Sequence, residues 1–79
     1  MSQRPRFAVC IRNSGYPASL ELRKLYEVLE DAEAEQDDLI RIIDESGHGY
    51  LYTAGRFVLA PLPAAAEQAV IEAVHVVPA

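Results

Sequence analysis

The chain of 79 residues has no tryptophan, one cysteine, one methionine, and no apolar run near the roughly 18–20 residues needed to span a membrane. A single cysteine excludes an internal disulfide, and Cys10, set within an apolar alternation, reads as a small packed residue rather than a reactive thiolate. The N-terminal MSQRPRF has two arginines but no apolar signal core behind them, since Arg12, Asn13 and Ser14 interrupt it, so a cytoplasmic location is the expectation. Positive charge is also scarce: Lys and Arg number 7 against 12 Asp and Glu, for a formal charge of −5. Affinity for nucleic-acid backbone comes mostly from Lys and Arg, so that balance argues against phosphate binding as the main activity.

What is present is a folding composition. With 51% hydrophobic and 24% charged residues and no low-complexity tract, the chain reads as one globular domain, residues 1–79. At this length folding buries only about 60% of the unfolded surface, so a partner or a second copy matters, and both monomer and homodimer stay open. Charge is segregated along the chain. Five of the seven basic residues, Arg4, Arg6, Arg12, Arg23 and Lys24, fall in the first 24 positions, whereas EVLEDAEAEQDD, Glu27 to Asp38, holds seven acidic residues and no basic one.

RFAVCIRN alternates Phe7, Val9 and Ile11 against Ala8, Cys10 and Arg12 and predicts a first strand. SGYPAS then supplies turn residues and a loop carrying Tyr16. LELRKLYEVLEDAEAE is ambiguous: its composition and the spacing of Leu22, Leu25, Tyr26 and Leu29 favour helix, yet Leu20 and Leu22, then Tyr26 and Val28, also alternate. LIRIIDE and YLYTAGRFVLA predict two strands, the second interrupted near Thr53 to Gly55. SGHG between them makes a hairpin, with Gly47 and Gly49 able to take positive φ. Pro63 opens a C-terminal helix over about 63–74, with Ala66, Val70, Ile71 and Val74 as its apolar stripe.

IIDESGHGYLY places Asp44, Ser46 and His48 within five residues, the side chains of a hydrolytic triad. Triad members converge from separate points of a fold, and the nucleophile elbow is missing because Asp44 stands two before Ser46, so a turn is expected and no catalytic residue is assigned. No second His or Cys lies near His48 at metal-ligand spacing. The acidic run lacks the central glycine of a Ca²⁺ loop and reads as a solvated acidic loop or a docking surface for a basic partner. Neither a metal nor a cofactor is expected. Tyr50 and Tyr52 share one strand face, as core or as a binding platform.

From Leu20 to Leu62 the order of features resembles a Src-homology-3-like barrel. LELRKLYEVL stands in the place of a strand of the form E-L-x-x-K-x-x-x-x-V-L, a loose likeness, and EDAEAEQDD, LIRIIDE, SGHG and GYLYTAGRFV follow as acidic loop, strand, distal turn and a strand leading into one 3-10 turn. The resemblance implies a mainly β fold, a small barrel or bent antiparallel sheet over about 6–60 with the short C-terminal helix, and turns Leu20 to Leu29 towards strand, at least in its second half. It does not imply recognition of proline-rich ligands, because the tryptophan that opens the strand after the acidic loop is absent and Thr53 stands where that family has proline. The whole chain is also similar to small bacterial proteins with AVCIRNSGY-like and DESG-x-x-YLY-like stretches, a likeness that implies no activity.

The leading expectation is a non-enzymatic protein-interaction module whose partner surface combines Tyr16 and Tyr52 with Glu30, Asp31, Glu33 and Glu35. The alternative is a nucleic-acid-associated barrel using Arg4, Arg6, Arg12 and Lys24. A small enzyme or enzyme subunit using His48 stands third, since no separated acid, base and nucleophile set is visible.

Overall fold

Residues 6–75 are described by a computed structural model, with side chains described through residue 73. Strands β1 Phe7–Cys10, β2 Leu25–Leu29, β3 Leu39–Ile43, β4 Gly49–Thr53 and β5 Phe57–Leu59 form one open antiparallel sheet in the order β4-β3-β2-β1-β5. A short helix α1, Ala32–Gln36, joins β2 to β3, a 3-10 turn at Ala54–Arg56 separates β4 from β5, and helix α2, Ala64–His75, closes the described chain. The fold is mainly β with a short C-terminal helix.

Strand β2 changes partner midway. Leu25, Tyr26 and Glu27 pair with β1, while Val28 and Leu29 pair with β3, so the sheet bends about this strand and gathers its inner face around one core. That core holds Ala8, Cys10, Leu20, Tyr26, Ile42, Tyr52 and Phe57, with Val28 and Ile40 packed against it. On β1 the small residues Ala8 and Cys10 face inward. Ala8 lies opposite Tyr26 and Cys10 opposite Phe57, and those rings fill the space a larger β1 side chain would need. Phe7 points to the other face yet is only 1% exposed. The Arg6 N–H donates to Glu67 Oε2 at 3.4 Å, bringing α2 to this end of β1 with Ala66, Val70 and Ile71 half-buried.

The helical signal over Leu20 to Leu29 is overridden. Arg23 takes a left-handed conformation (φ 66°), which no helix can continue through, and Leu20 is fully buried in the turn it closes. The acidic run departs from a loop in the opposite direction. Asp31 Oδ1 accepts the Ala34 N–H at 3.1 Å as an N-cap, Ala34 is buried, and one helical turn forms before Asp38 (φ 58°) reverses the chain. Of the hairpin glycines only Gly47 has positive φ (84°); Gly49 begins β4 where an added Cβ would stand 2.9 Å from Leu29 Cδ1.

Candidate functional site

The hairpin between β3 and β4 carries two adjacent carboxylates, Asp44, which ties the hairpin to itself, and Glu45, which ties it to the end of the long connection between β1 and β2. Asp44, 6% exposed, accepts from Tyr52 Oη at 2.6 Å, from the Ser46 N–H at 2.9 Å and from Ser46 Oγ at 2.5 Å. Burial pushes the Asp44 carboxyl up, but the Ser46 and Tyr52 hydrogen bonds together outweigh it and hold it below the usual carboxylate range. The same burial, reinforced by the bond to Asp44, pushes the Tyr52 hydroxyl up to about 12. Next along the chain, the Glu45 N–H donates to Ser19 O at 3.0 Å, and Glu45 Oε2 accepts from Lys24 Nζ at 2.6 Å and Tyr26 Oη at 2.5 Å. Tyr26 Oη accepts in turn from the Glu21 N–H at 2.7 Å. Burial first, then the bond to Glu45, raises the Tyr26 hydroxyl. The bonds from Lys24 and Tyr26 lower Glu45.

The Asp-Ser-His coincidence is a turn with structural bonds. The Ser46 hydroxyl points its proton at Asp44, and His48 contributes its backbone N–H to Ser46 Oγ at 3.2 Å. Acid therefore touches nucleophile directly, whereas a triad needs the imidazole between them.

Tyr16 and Tyr52 do come together. Their ring centroids are 5.1 Å apart with an interplanar angle of 87°, an edge-to-face contact. Tyr16 also carries the Arg56 guanidinium, 4.7 Å from the ring centroid, and Arg56 Nη1 is fixed by a 2.9 Å bond to Ser14 O. Tyr16 remains 44% exposed, whereas Tyr52 is 6% exposed, so Tyr16 presents its ring and Tyr52 is the support beneath it rather than part of an open platform. Tyr50, on the same strand face, is 52% exposed. Arg56 was not foreseen from sequence, because only the 3-10 turn after β4 carries it back to the Tyr16 loop.

The acidic residues divide by role. Glu30, Glu33 and Glu35 are exposed, whereas Asp31 caps α1 and holds Arg41 Nε at 2.9 Å. The end of the segment touches the same 3-10 turn that bears Arg56, because the Ala54 N–H donates to Asp38 O at 3.0 Å. The basic residues are not gathered. Arg4 lies outside the described residues; Arg6 and Arg12 are exposed beyond opposite ends of β1, separated by about 20 Å of extended chain; and Lys24 is paired with Glu45. Cys10 is fully buried, with its Sγ–H 3.5 Å from Arg12 O.

Among the described residues no group of three or more His, Cys, Asp or Glu is placed to hold a metal ion, and no helix is long and apolar enough to cross a membrane. Every buried side-chain nitrogen and oxygen among them has a hydrogen-bond partner. No protein-family model, curated protein or solved structure matches the chain.

Proposed function

We propose that the protein is a non-enzymatic interaction module of Src-homology-3-like architecture, presenting Tyr16 and the neighbouring acidic segment to a basic protein partner. The strand order β4-β3-β2-β1-β5, the division of β2 between two partners and the 3-10 turn before β5 support the architectural part of this reading. The observation that carries the functional part is Tyr16 itself. Its half-exposed ring is in contact with both Tyr52 and Arg56, so an aromatic anchor is already held in place before any partner arrives. Glu30, Glu33 and Glu35 lie on the segment that joins the same 3-10 turn, and their charge would steer and orient a basic chain.

Affinity capture with native protein, Tyr16→Ala, and a variant neutralised at Glu30, Glu33 and Glu35 tests this. Asp31 is left intact because it caps α1. A specific partner should be lost from both variants while their melting temperatures stay near native; an identical set of captured proteins from all three would refute the reading.

A second reading rests on one contact. The Arg12 N–H bonds to Arg56 O at 3.3 Å, so the backbone of a second arginine adjoins the one stacked on Tyr16, a basic and aromatic combination of the kind that binds single-stranded bases. Such binding falls steeply with salt, and the absence of any probe shift at low ionic strength would dismiss it.

A further inference from the structure

The open sheet has two edges, and only one is guarded. On β5 the edge is three residues long, entered from a 3-10 turn and left through Ala60, Pro61 and Pro63, so little extended backbone is offered. On β4 it is five residues long, Gly49–Thr53, with no charge and no proline, and Tyr50 and Leu51 are 52% and 44% exposed. Long apolar edges without lysine or proline are those on which another strand adds.

The ladder fixes which backbone groups face outward. The Ala54 N–H bonds to Asp38 O at one end of the β3–β4 pair and the Asp44 N–H to His48 O at the other. Both are even-numbered pairs in the register that sets Ile40 against Tyr52 and Ile42 against Tyr50. Hydrogen-bonded pairs alternate along an antiparallel ladder, so Tyr50 and Tyr52 bond inward to β3; Gly49 and Leu51 turn N–H and C=O to the open edge, and Thr53 turns its N–H there while its carbonyl opens the 3-10 turn at Ala54–Arg56. Among the described residues no backbone bond outside the helices and strands reaches Gly49 or Leu51.

We infer that β4 pairs antiparallel with β4 of a second copy about a two-fold axis at Leu51, joining two sheets into one. In that register Leu51 faces Leu51 and Gly49 faces Thr53, so all three outward residues of each strand meet outward residues of the other. Registers shifted by two residues leave one of them unmatched. The strand is uncharged, so two molecules of charge −5 meet where neither carries charge, and exposed Leu51 and Tyr50 are covered. A sheet edge blocked this way also answers the shortage of core in so small a chain. The dimer is independent of partner binding at Tyr16 and is read out separately from it.

Sedimentation of the full chain over a wide concentration range at about 0.15 M salt, the ionic strength at which charge repulsion is largely screened, should show a species of twice 8.7 kDa. Lowering the salt should weaken it, because net repulsion then opposes an uncharged contact. Leu51→Lys changes an outward, half-exposed side chain and sets lysine against lysine; it should raise the dissociation constant about tenfold or more. Amide exchange in the dimer should slow at Gly49, Leu51 and Thr53 and return to the faster rate in the variant, while Tyr50 and Tyr52 stay protected in both. A monomer at every concentration, a dimer unaffected by Leu51→Lys, or a dimer whose three edge amides exchange freely would each overturn the inference. So would protection of those amides only when a foreign protein is added, which would give the edge to another strand.

Discussion

Asp44 joins the hairpin, the sheet and the core through one side chain. Its carboxylate receives three hydrogen bonds while 6% exposed, and one of the donors is the hydroxyl of a core ring. Tyr52→Phe removes a bond to a charged acceptor but keeps the ring, so it should cost about 1.5–3 kcal/mol in urea unfolding, with the midpoint shifted at unchanged slope. Asp44→Ala should cost at least as much, because it removes the acceptor of the buried Tyr52 hydroxyl, which keeps only its contact with Ser19, together with the acceptor of both Ser46 donors. The double variant should then fall well short of the sum of the two. Additive losses would mean that the 2.6 Å contact contributes nothing of its own. Because Tyr52→Phe keeps the surface on which Tyr16 rests, it should also leave partner capture intact where Tyr16→Ala abolishes it. That contrast separates the supporting ring from the presenting one.

Elements were legible where local pattern and tertiary demand agree. The β3–β4 hairpin is such a case: Gly47 has the positive φ that its turn requires, so Gly47→Ala should cost about 1–2 kcal/mol, measured as a melting shift. Gly49→Ala should cost less, since its new methyl comes too close only to the terminal carbon of Leu29, which can rotate aside, and meets Arg41 at ordinary contact distance. A larger loss at Gly49 than at Gly47 would contradict this account. Where pattern and demand conflict, the sequence misleads. The helix-favouring composition of Leu20 to Leu29 yields because β2 has hydrogen-bonding partners on both sides and the chain reverses at Arg23, neither of which is a local property. On β1, alternation was visible but not which side is inside, because that depends on the rings of Tyr26 and Phe57 contributed by distant strands. The helical turn α1 was hidden for a different reason: its cap, Asp31, reads as one more charge in an acidic run. Asp31→Ala should speed exchange of the Ala34 amide while leaving the β2 and β3 amides protected; unchanged exchange at Ala34 would deny the cap its role.

Across the whole molecule, the titrating groups that depart from ordinary behaviour fall into two sets with opposite consequences. Asp44, Glu45 and Asp31 are held below the usual carboxylate range by their hydrogen bonds and ion pairs. A depressed carboxyl contributes stability above its unfolded value of about 4 and loses it as pH falls through the folded value. Tyr52, pushed up to about 12, and Tyr26, also raised, behave in reverse. Their contribution is complete below the unfolded tyrosine value of about 10 and is lost as pH rises from there towards the folded value. The molecule is therefore expected to hold a level stability between about pH 5 and pH 9, bounded by carboxylates on one side and tyrosines on the other. Net charge works against the acid limb, because the repulsion of a −5 chain disappears towards pH 4.8. At about 0.15 M salt that long-range repulsion is largely screened, and the short bonds to Asp44 and Glu45 should prevail. Urea midpoints collected from pH 3 to pH 12 test the balance, and Tyr52→Phe supplies the control. The variant should start from a lower plateau and lose less between about pH 10 and pH 12, because one of the two raised hydroxyls is gone. An alkaline limb as steep in Tyr52→Phe as in the native protein would show that the Tyr52–Asp44 pair does not set it, and would leave Tyr26 and Glu45 as the pair joining hairpin to loop at high pH.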